Sequence, residues 1–233
     1  MSLDDPAVVR REYASERGLT GRIAAYRYAE GPDAQRLALD AVAEVSPRRV
    51  LEVGCGTGVL AELIAREVGA EVVALDQSER MVELTRARGI EAHVGDAADL
   101  PFIDGAFDCA VAAWMLYHVI DVPCALAELA RVLRPEGRLV AVTNSVEHLR
   151  ELADLLGVVR PAYPFSAENG EELLRVAFAH VERRDAYGYL VFPNRAKAQA
   201  YVDASIVWQG GSLPPFDGPL RVSRAPTVFV ADR

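Results

Sequence analysis

Glu52, Asp76 and Asp96 each stand at or just past the end of a short apolar run, and a glycine-dense loop, Gly54-Cys55-Gly56-Thr57-Gly58, follows the first of them. A glycine loop between a strand and a helix lets the backbone approach a ligand closely. The spacing G-x-G-x-G is one residue shorter than the dinucleotide pattern G-x-G-x-x-G, and Glu52 precedes its first glycine by two positions. A carboxylate there repels a pyrophosphate and suits a cation or an ammonium group. Asp76 lies 18 residues past Gly58, where an acidic side chain can accept hydrogen bonds from both hydroxyls of a ribose; capping the helix that begins near Ser78 is the alternative. Asp96, in Gly95-Asp96-Ala97, offers a third acceptor within reach of an adenine amino group, or else closes a turn.

The elements that must position these residues follow from the patterning. Val50–Val53, Glu71–Leu75, Glu91–Val94, Phe107–Ala113 and Arg138–Thr143 read as strands. Helices fall between them at Val59–Val68, Ser78–Arg88 and Asp121–Leu133, with Ser78 and Asp121 as N-caps and Gly89, Pro135 and Gly137 as stops. Such alternation predicts a parallel sheet with right-handed crossovers and helices on both faces. The flanks read differently. Pro6–Glu16, Gly21–Glu30 and Asp33–Val45 are helical in pattern, and so are Val146–Leu156, Glu168–His180 and Asn194–Ile206. Val181–Phe192 and Thr227–Ala231 read as strands. The simplest organisation is one domain over 1–233, with a helical cap at 1–45, a ligand-binding core at 46–145 and substrate-side helices with the last two strands at 146–233.

The whole chain, 233 residues with 51% hydrophobic and 25% charged residues, has the composition of a folded soluble protein. Its 34 acidic residues against 25 basic ones leave a formal charge of −9, which argues against duplex nucleic acid as the main partner. No apolar stretch reaches the roughly 18 residues of a transmembrane helix, and the acidic start Met1–Pro6 does not resemble a signal peptide. Three cysteines, Cys55, Cys109 and Cys124, match no zinc or disulfide spacing, so the expectation is a cytoplasmic protein without a metal.

Taken together, Val50–Gly58, Ala74-Leu75-Asp76, Gly95–Phe102, Phe107–Val119 and Arg131–Leu139 resemble the successive motifs of class I S-adenosylmethionine-dependent methyltransferases. The likeness covers roughly residues 45–143 and points to the small-molecule branch that includes quinone-biosynthesis C-methyltransferases. It implies an α/β fold: a Rossmann-like, doubly wound, seven-stranded sheet with strand seven antiparallel and a helical N-terminal cap. It also implies S-adenosyl-L-methionine as cofactor. Glu52, Gly54, Cys55, Gly56 and Gly58 would then face its methionine part and Asp76 its ribose. Asp96 and Ala97 would meet the adenine, flanked by Gln77 and Met81, while Ala113 and Trp114 line the cofactor and face the acceptor. Glu136 departs from the family, which usually has glycine there.

Methyl transfer from a sulfonium needs positioning more than it needs a base. Tyr117 and His118 follow the fourth strand, where related enzymes often carry His-His. One of them touches the acceptor as base or orienting group, or both pack under the cap. Asn144 lies on the ligand-bearing edge, and Tyr13 either closes over the cofactor carboxylate or packs. His93 and His180 read as structural. The absence of an Asn/Asp-Pro-Pro-aromatic tetrad disfavours amino-group methylation of bases or glutamine. The expected partner is a small-molecule acceptor, with neither nucleic acid nor membrane, and a homodimer is left open. The competing readings are a methyltransferase acting on RNA or protein, a non-catalytic adenosyl-cofactor-binding protein and, against the evidence of Glu52, a nicotinamide dehydrogenase.

Overall fold

Runs that are apolar on both faces form buried parallel strands, and amphipathic segments between them form the covering helices. The computed structural model describes residues 4–160, 163–205, 207–208 and 210–233. Met1–Leu3, part of the acidic start, and Ile206, the expected end of the Asn194 helix, lie outside the described residues. The chain opens with α1 (Pro6–Glu12), α2 (Arg17–Ala25), β1 (Ala29–Glu30) and α3 (Ala34–Ala43). The alternating core follows as β2 (Arg49–Val53), α4 (Val59–Glu67), β3 (Glu71–Asp76), α5 (Glu79–Arg86), β4 (Glu91–Val94), β5 (Phe107–Ala113), α6 (Val122–Val132) and β6 (Leu133–Asn144). The remainder is α7 (Arg150–Leu156), α8 (Gly170–Leu174), β7 (His180–Asp185), β8 (Gly188–Phe192), α9 (Arg195–Asp203), β9 (Leu220–Arg224) and β10 (Pro226–Asp232).

Seven strands pair in the order β4-β3-β2-β5-β6-β10-β7. β2, β3, β4, β5 and β6 are parallel, and β10 inserts antiparallel between β6 and β7. This is the seven-stranded sheet with an antiparallel last strand that the motifs imply. Side-chain alternation sends Leu51, Val53 and Ala110 to one face against Leu126, Leu129 and Phe165. It sends Val50 and Val111 to the other, against Ala38, Val42 and Ile64. All carboxyl ends of the parallel strands therefore open on one edge, where β2, β3 and β5 deliver Glu52, Asp76 and Trp114.

The flanks depart from the sequence reading in instructive ways. Val181–Phe192 is two strands in two sheets: β7 closes the main sheet, whereas β8 joins β1 and β9 in a second, three-stranded sheet. The second sheet needs glycine at 188, because a Cβ there would lie 2.1 Å from the Glu30 carbonyl oxygen. The expected Gly21–Glu30 helix stops at Ala25 because Ala29 and Glu30 pair with Leu190 and Tyr189 of β8. The Glu168 helix is only α8, and α7 starts at Arg150 after Leu149 takes a left-handed φ of 56°. Strand β6 begins at Leu133 instead of Arg138, running through Pro135-Glu136-Gly137. Glu136 has φ 63°, a conformation that favours glycine. Among the described residues no helix is long and apolar enough to cross a membrane, and no group of three or more His, Cys, Asp or Glu could hold a metal.

Candidate functional site

Strand β2 ends in the loop that the glycines permit. Gly54 has φ 71°, and a Cβ there would meet Met115 Cβ at 2.5 Å. Gly58, φ 74°, begins α4 with its Cα against Thr85, and a Cβ would lie 2.7 Å from Thr85 Oγ1. The amides of Gly54 and Cys55 both donate to the Leu75 carbonyl, at 2.7 and 3.1 Å, tying the loop to β3. The Asp76 carboxylate then fixes two loops at once, accepting from the Gly56 amide (2.9 Å, Oδ2) and the Ser78 amide (2.9 Å, Oδ1). Burial raises the Asp76 carboxyl above its usual range, and the amides of Ser78, Gly56 and Gln77 counter part of that rise.

Glu52 is 3% exposed, and its Oε2 has no hydrogen-bond partner. Burial first, and then the neighbouring Asp76 charge, push its carboxyl up to about 8, with the Ala61 amide pulling it partly back. An orphaned buried carboxyl oxygen beside a glycine cradle fits an incoming cation or ammonium group, whose charge would favour the ionised form.

These groups share a cavity of about 890 Å³ between the sheet edge and the cap. Tyr13, Glu52, Gly54, Cys55, Gly56, Asp76, Gln77, Asp96, Ala97, Ala113, Trp114, Tyr117, His118 and Asn144 all line it. Gly58 and Met81 do not line it: Gly58 packs on Thr85, and Met81 is wholly buried in α5. Asp96 is exposed and already uses Oδ1 to accept from the Ala98 amide at 2.9 Å. Trp114 leaves β5 with a left-handed φ of 54°, a strained conformation of the kind found at ligand sites. The Tyr13 hydroxyl lies 3.0 Å from His118 Nε2, and the Tyr13 carbonyl accepts from Ser78 Oγ at 2.7 Å. Tyr117 stacks edge-on between His118 and Tyr163, at ring separations of 4.6 and 5.7 Å. Burial pushes the Tyr13 phenol up to about 12 and the Tyr117 phenol well above its ordinary value.

The cap contributes residues with no local signature in the sequence. Arg22, Tyr26, His148, Tyr163, Tyr201, Trp208 and Arg224 also line the cavity, coming from segments that only the second sheet brings together. Arg22 pairs with Glu12 and donates to the Ala204 carbonyl at 2.7 Å. Among the described residues, every buried side-chain polar atom without a partner belongs to a residue lining this cavity: Glu52 Oε2, Trp114 Nε1, Asn144 Oδ1, Trp208 Nε1 and Arg224 Nε.

Comparison with known proteins agrees with this geometry. Residues 51–141 match the methyltransferase domain family. The demethylmenaquinone methyltransferase of Thermus thermophilus is 43% identical over 115 residues, 46% of this chain and 52% of that protein. The demethylmenaquinone methyltransferase of Mycolicibacterium vanbaalenii is 34% identical over 168 residues, 70% of this chain and 69% of that protein. The chain spans about half the length of the first curated relatives it matches. A SAM-dependent methyltransferase from Thermotoga maritima superposes with a TM-score of 0.60 at 22% identity, covering 95% of this chain and 98% of that one. The chain therefore belongs to the class I S-adenosylmethionine-dependent methyltransferases, whose cofactor is S-adenosylmethionine.

Proposed function

We propose that this protein transfers the methyl group of S-adenosylmethionine to a small, flat, largely apolar acceptor held between the sheet edge and the cap. The observation that carries the reading is the unpartnered Glu52 carboxylate oxygen in a cavity whose other half is walled by aromatic side chains. Glu52 and the Gly54–Gly58 loop would hold the amino acid part of the cofactor, Asp76 the ribose hydroxyls, and Ala97 with Gln77 the base. When bound, the cofactor supplies a methyl group activated by a sulfonium. The chain's own residues orient the acceptor in line with that methyl and exclude water. Such positioning contributes ~7–11 kcal/mol in well-oriented systems.

Tyr117 is held as a neutral phenol by its burial, so it serves as a donor or wall and not as a base at neutral pH. His118, tied to Tyr13, is the group best placed to orient an acceptor hydroxyl. We read the chain as one domain in which the N-terminal segment and the segments around β8 and β9 build a single lid, because β1, β8 and β9 form one sheet apart from the main one. Relatives named demethylmenaquinone methyltransferases favour a quinol-type ring as the acceptor class.

The test is incubation with S-adenosylmethionine and a panel of quinols, phenols, total RNA and protein, reading S-adenosylhomocysteine release and product mass. Release that depends on a small quinol or phenol supports the reading. Transfer to RNA or protein alone overturns it.

A further inference from the structure

The five unpartnered buried atoms divide into two chemically opposite groups. Glu52 Oε2 can take a cation. Three of the others, Trp114 Nε1, Trp208 Nε1 and Arg224 Nε, are N–H donors with nothing to donate to. Burying a donor without an acceptor is unfavourable, and burying a guanidinium without a counter-charge is more so. Arg224 is 3% exposed, at the end of β9. Its Nη2 donates to the Pro32 carbonyl at 2.5 Å, and its guanidinium lies 5.8 Å from the Tyr26 ring centre. Among the described residues no carboxylate forms an ion pair with it. Asp33, the nearest along the chain to Pro32, caps α3 through the Gln35 amide at 2.9 Å. The cavity's other sequestered guanidinium, Arg22, is neutralised by Glu12, which sets Arg224 apart.

A second donor stands beside it. His148 Nδ1 accepts from the Ala225 amide at 3.0 Å, so the ring's one remaining proton in the neutral form is on Nε2. Burial and the adjacent Arg224 charge push His148 down to about 3, keeping it a neutral donor at physiological pH. Asn144 ends β6 opposite Pro226, two residues from Arg224. The unpartnered Asn144 Oδ1 is an acceptor, so the donors here are Arg224 and His148, and Arg224 carries a positive charge with no carboxylate paired to it, whereas Glu52 and Asp76 are acidic.

We infer that Arg224, with His148 beside it, forms a subsite for an anionic oxygen on the acceptor, so that the protein selects acidic acceptors (enolates, phenolates or carboxylates on an apolar ring) over their neutral analogues. The inference rests on the proposed acceptor chamber and narrows its substrate class. A guanidinium there supplies the charge that an acidic acceptor brings to balance, and its forked N–H groups hold the oxygen in a fixed plane. The bound anion keeps its electron density available to an incoming electrophile, and no side-chain base is required.

The test uses matched probes on the wild-type protein saturated with S-adenosylhomocysteine, read by calorimetry. 2-Naphthoate is compared with 2-naphthamide, and the enolate of 2-hydroxy-1,4-naphthoquinone with 2-methyl-1,4-naphthoquinone. The anion of at least one pair is expected to bind ~10-fold or more tightly than its neutral twin. Which pair responds tells a carboxylate from an enolate. In Arg224→Met the preference is expected to vanish while S-adenosylhomocysteine binding stays intact, and Arg224→Lys is expected to retain part of it. Should Arg224→Met fail to fold, the wild-type pairs still decide. Equal affinity within both pairs, or binding of none of the four, overturns the inference. Failure of S-adenosylhomocysteine to bind would instead count against the proposed function.

Discussion

The Tyr13 hydroxyl and His118 Nε2 meet at 3.0 Å across 105 residues of chain, fastening the N-terminal segment over the ligand edge of the sheet. Tyr13 also accepts from Ser78 through its carbonyl, so one residue touches both the segment after β5 and the start of α5. A part-buried hydrogen bond of this kind contributes ~0.5–1.5 kcal/mol. Tyr13→Phe and His118→Ala should therefore be non-additive by about that amount in a double-mutant cycle of denaturant unfolding. Strict additivity would mean that the pair does not couple the cap to the sheet.

The raised Glu52 carboxyl makes a pH prediction with a definite sign. Its ordinary value is 4.5 and the folded value is about 8, so between these values the folded state binds a proton that the unfolded state has lost. The stability from this group is complete below the lower value and is lost as pH rises through the upper one, with a slope of at most ~1.4 kcal/mol per pH unit. Ligand-free wild type should lose stability relative to Glu52→Gln between pH 5 and pH 8, measured by urea denaturation. Parallel curves for the two proteins would refute the assignment. Glu52→Gln should also bind S-adenosylhomocysteine at least ~10-fold more weakly.

Glu136 stands in a left-handed conformation at the position where the resembling family has glycine. A non-glycine residue in that region costs ~1–2 kcal/mol, partly offset by the backbone entropy that glycine loses on folding. Glu136→Gly should raise the stability by ~0.5–1 kcal/mol, seen as an increase in Tm, without changing cofactor affinity. A drop in Tm would show that the Glu136 side chain has a stabilising role.

The core was legible because its physics is local. Val50–Val53 and Phe107–Ala113 are apolar save for Glu52 and Asp108, Ser78 and Asp121 cap the helices that follow them, and the glycine loop states its own geometry. Glu52 and Asp76 could be placed on one sheet edge because their order along the chain fixes them at the ends of β2 and β3. The second sheet was hidden for the opposite reason. β1 has two residues, and its partner β8 lies some 160 positions away, so no window of sequence contains the pairing. Ala186-Tyr187 is a weak break in an apparent strand, and the close approach of Gly188 to Glu30 that the second sheet requires is seen only in the fold. Arg22, His148, Trp208 and Arg224 share this origin: each looks ordinary in its own segment and comes to line the cavity only when the cap assembles.

The central claim is that this cavity takes an adenosyl cofactor through Glu52 and Asp76. Its most direct test is calorimetric titration of the wild type and of Asp76→Ala with S-adenosylhomocysteine and with NAD. Expected are saturable binding of S-adenosylhomocysteine to the wild type, no binding of NAD, and a loss of ~100-fold or more in Asp76→Ala, as follows when two hydrogen bonds to a carboxylate are removed. Binding of NAD without S-adenosylhomocysteine, or an unchanged affinity in Asp76→Ala, would contradict it.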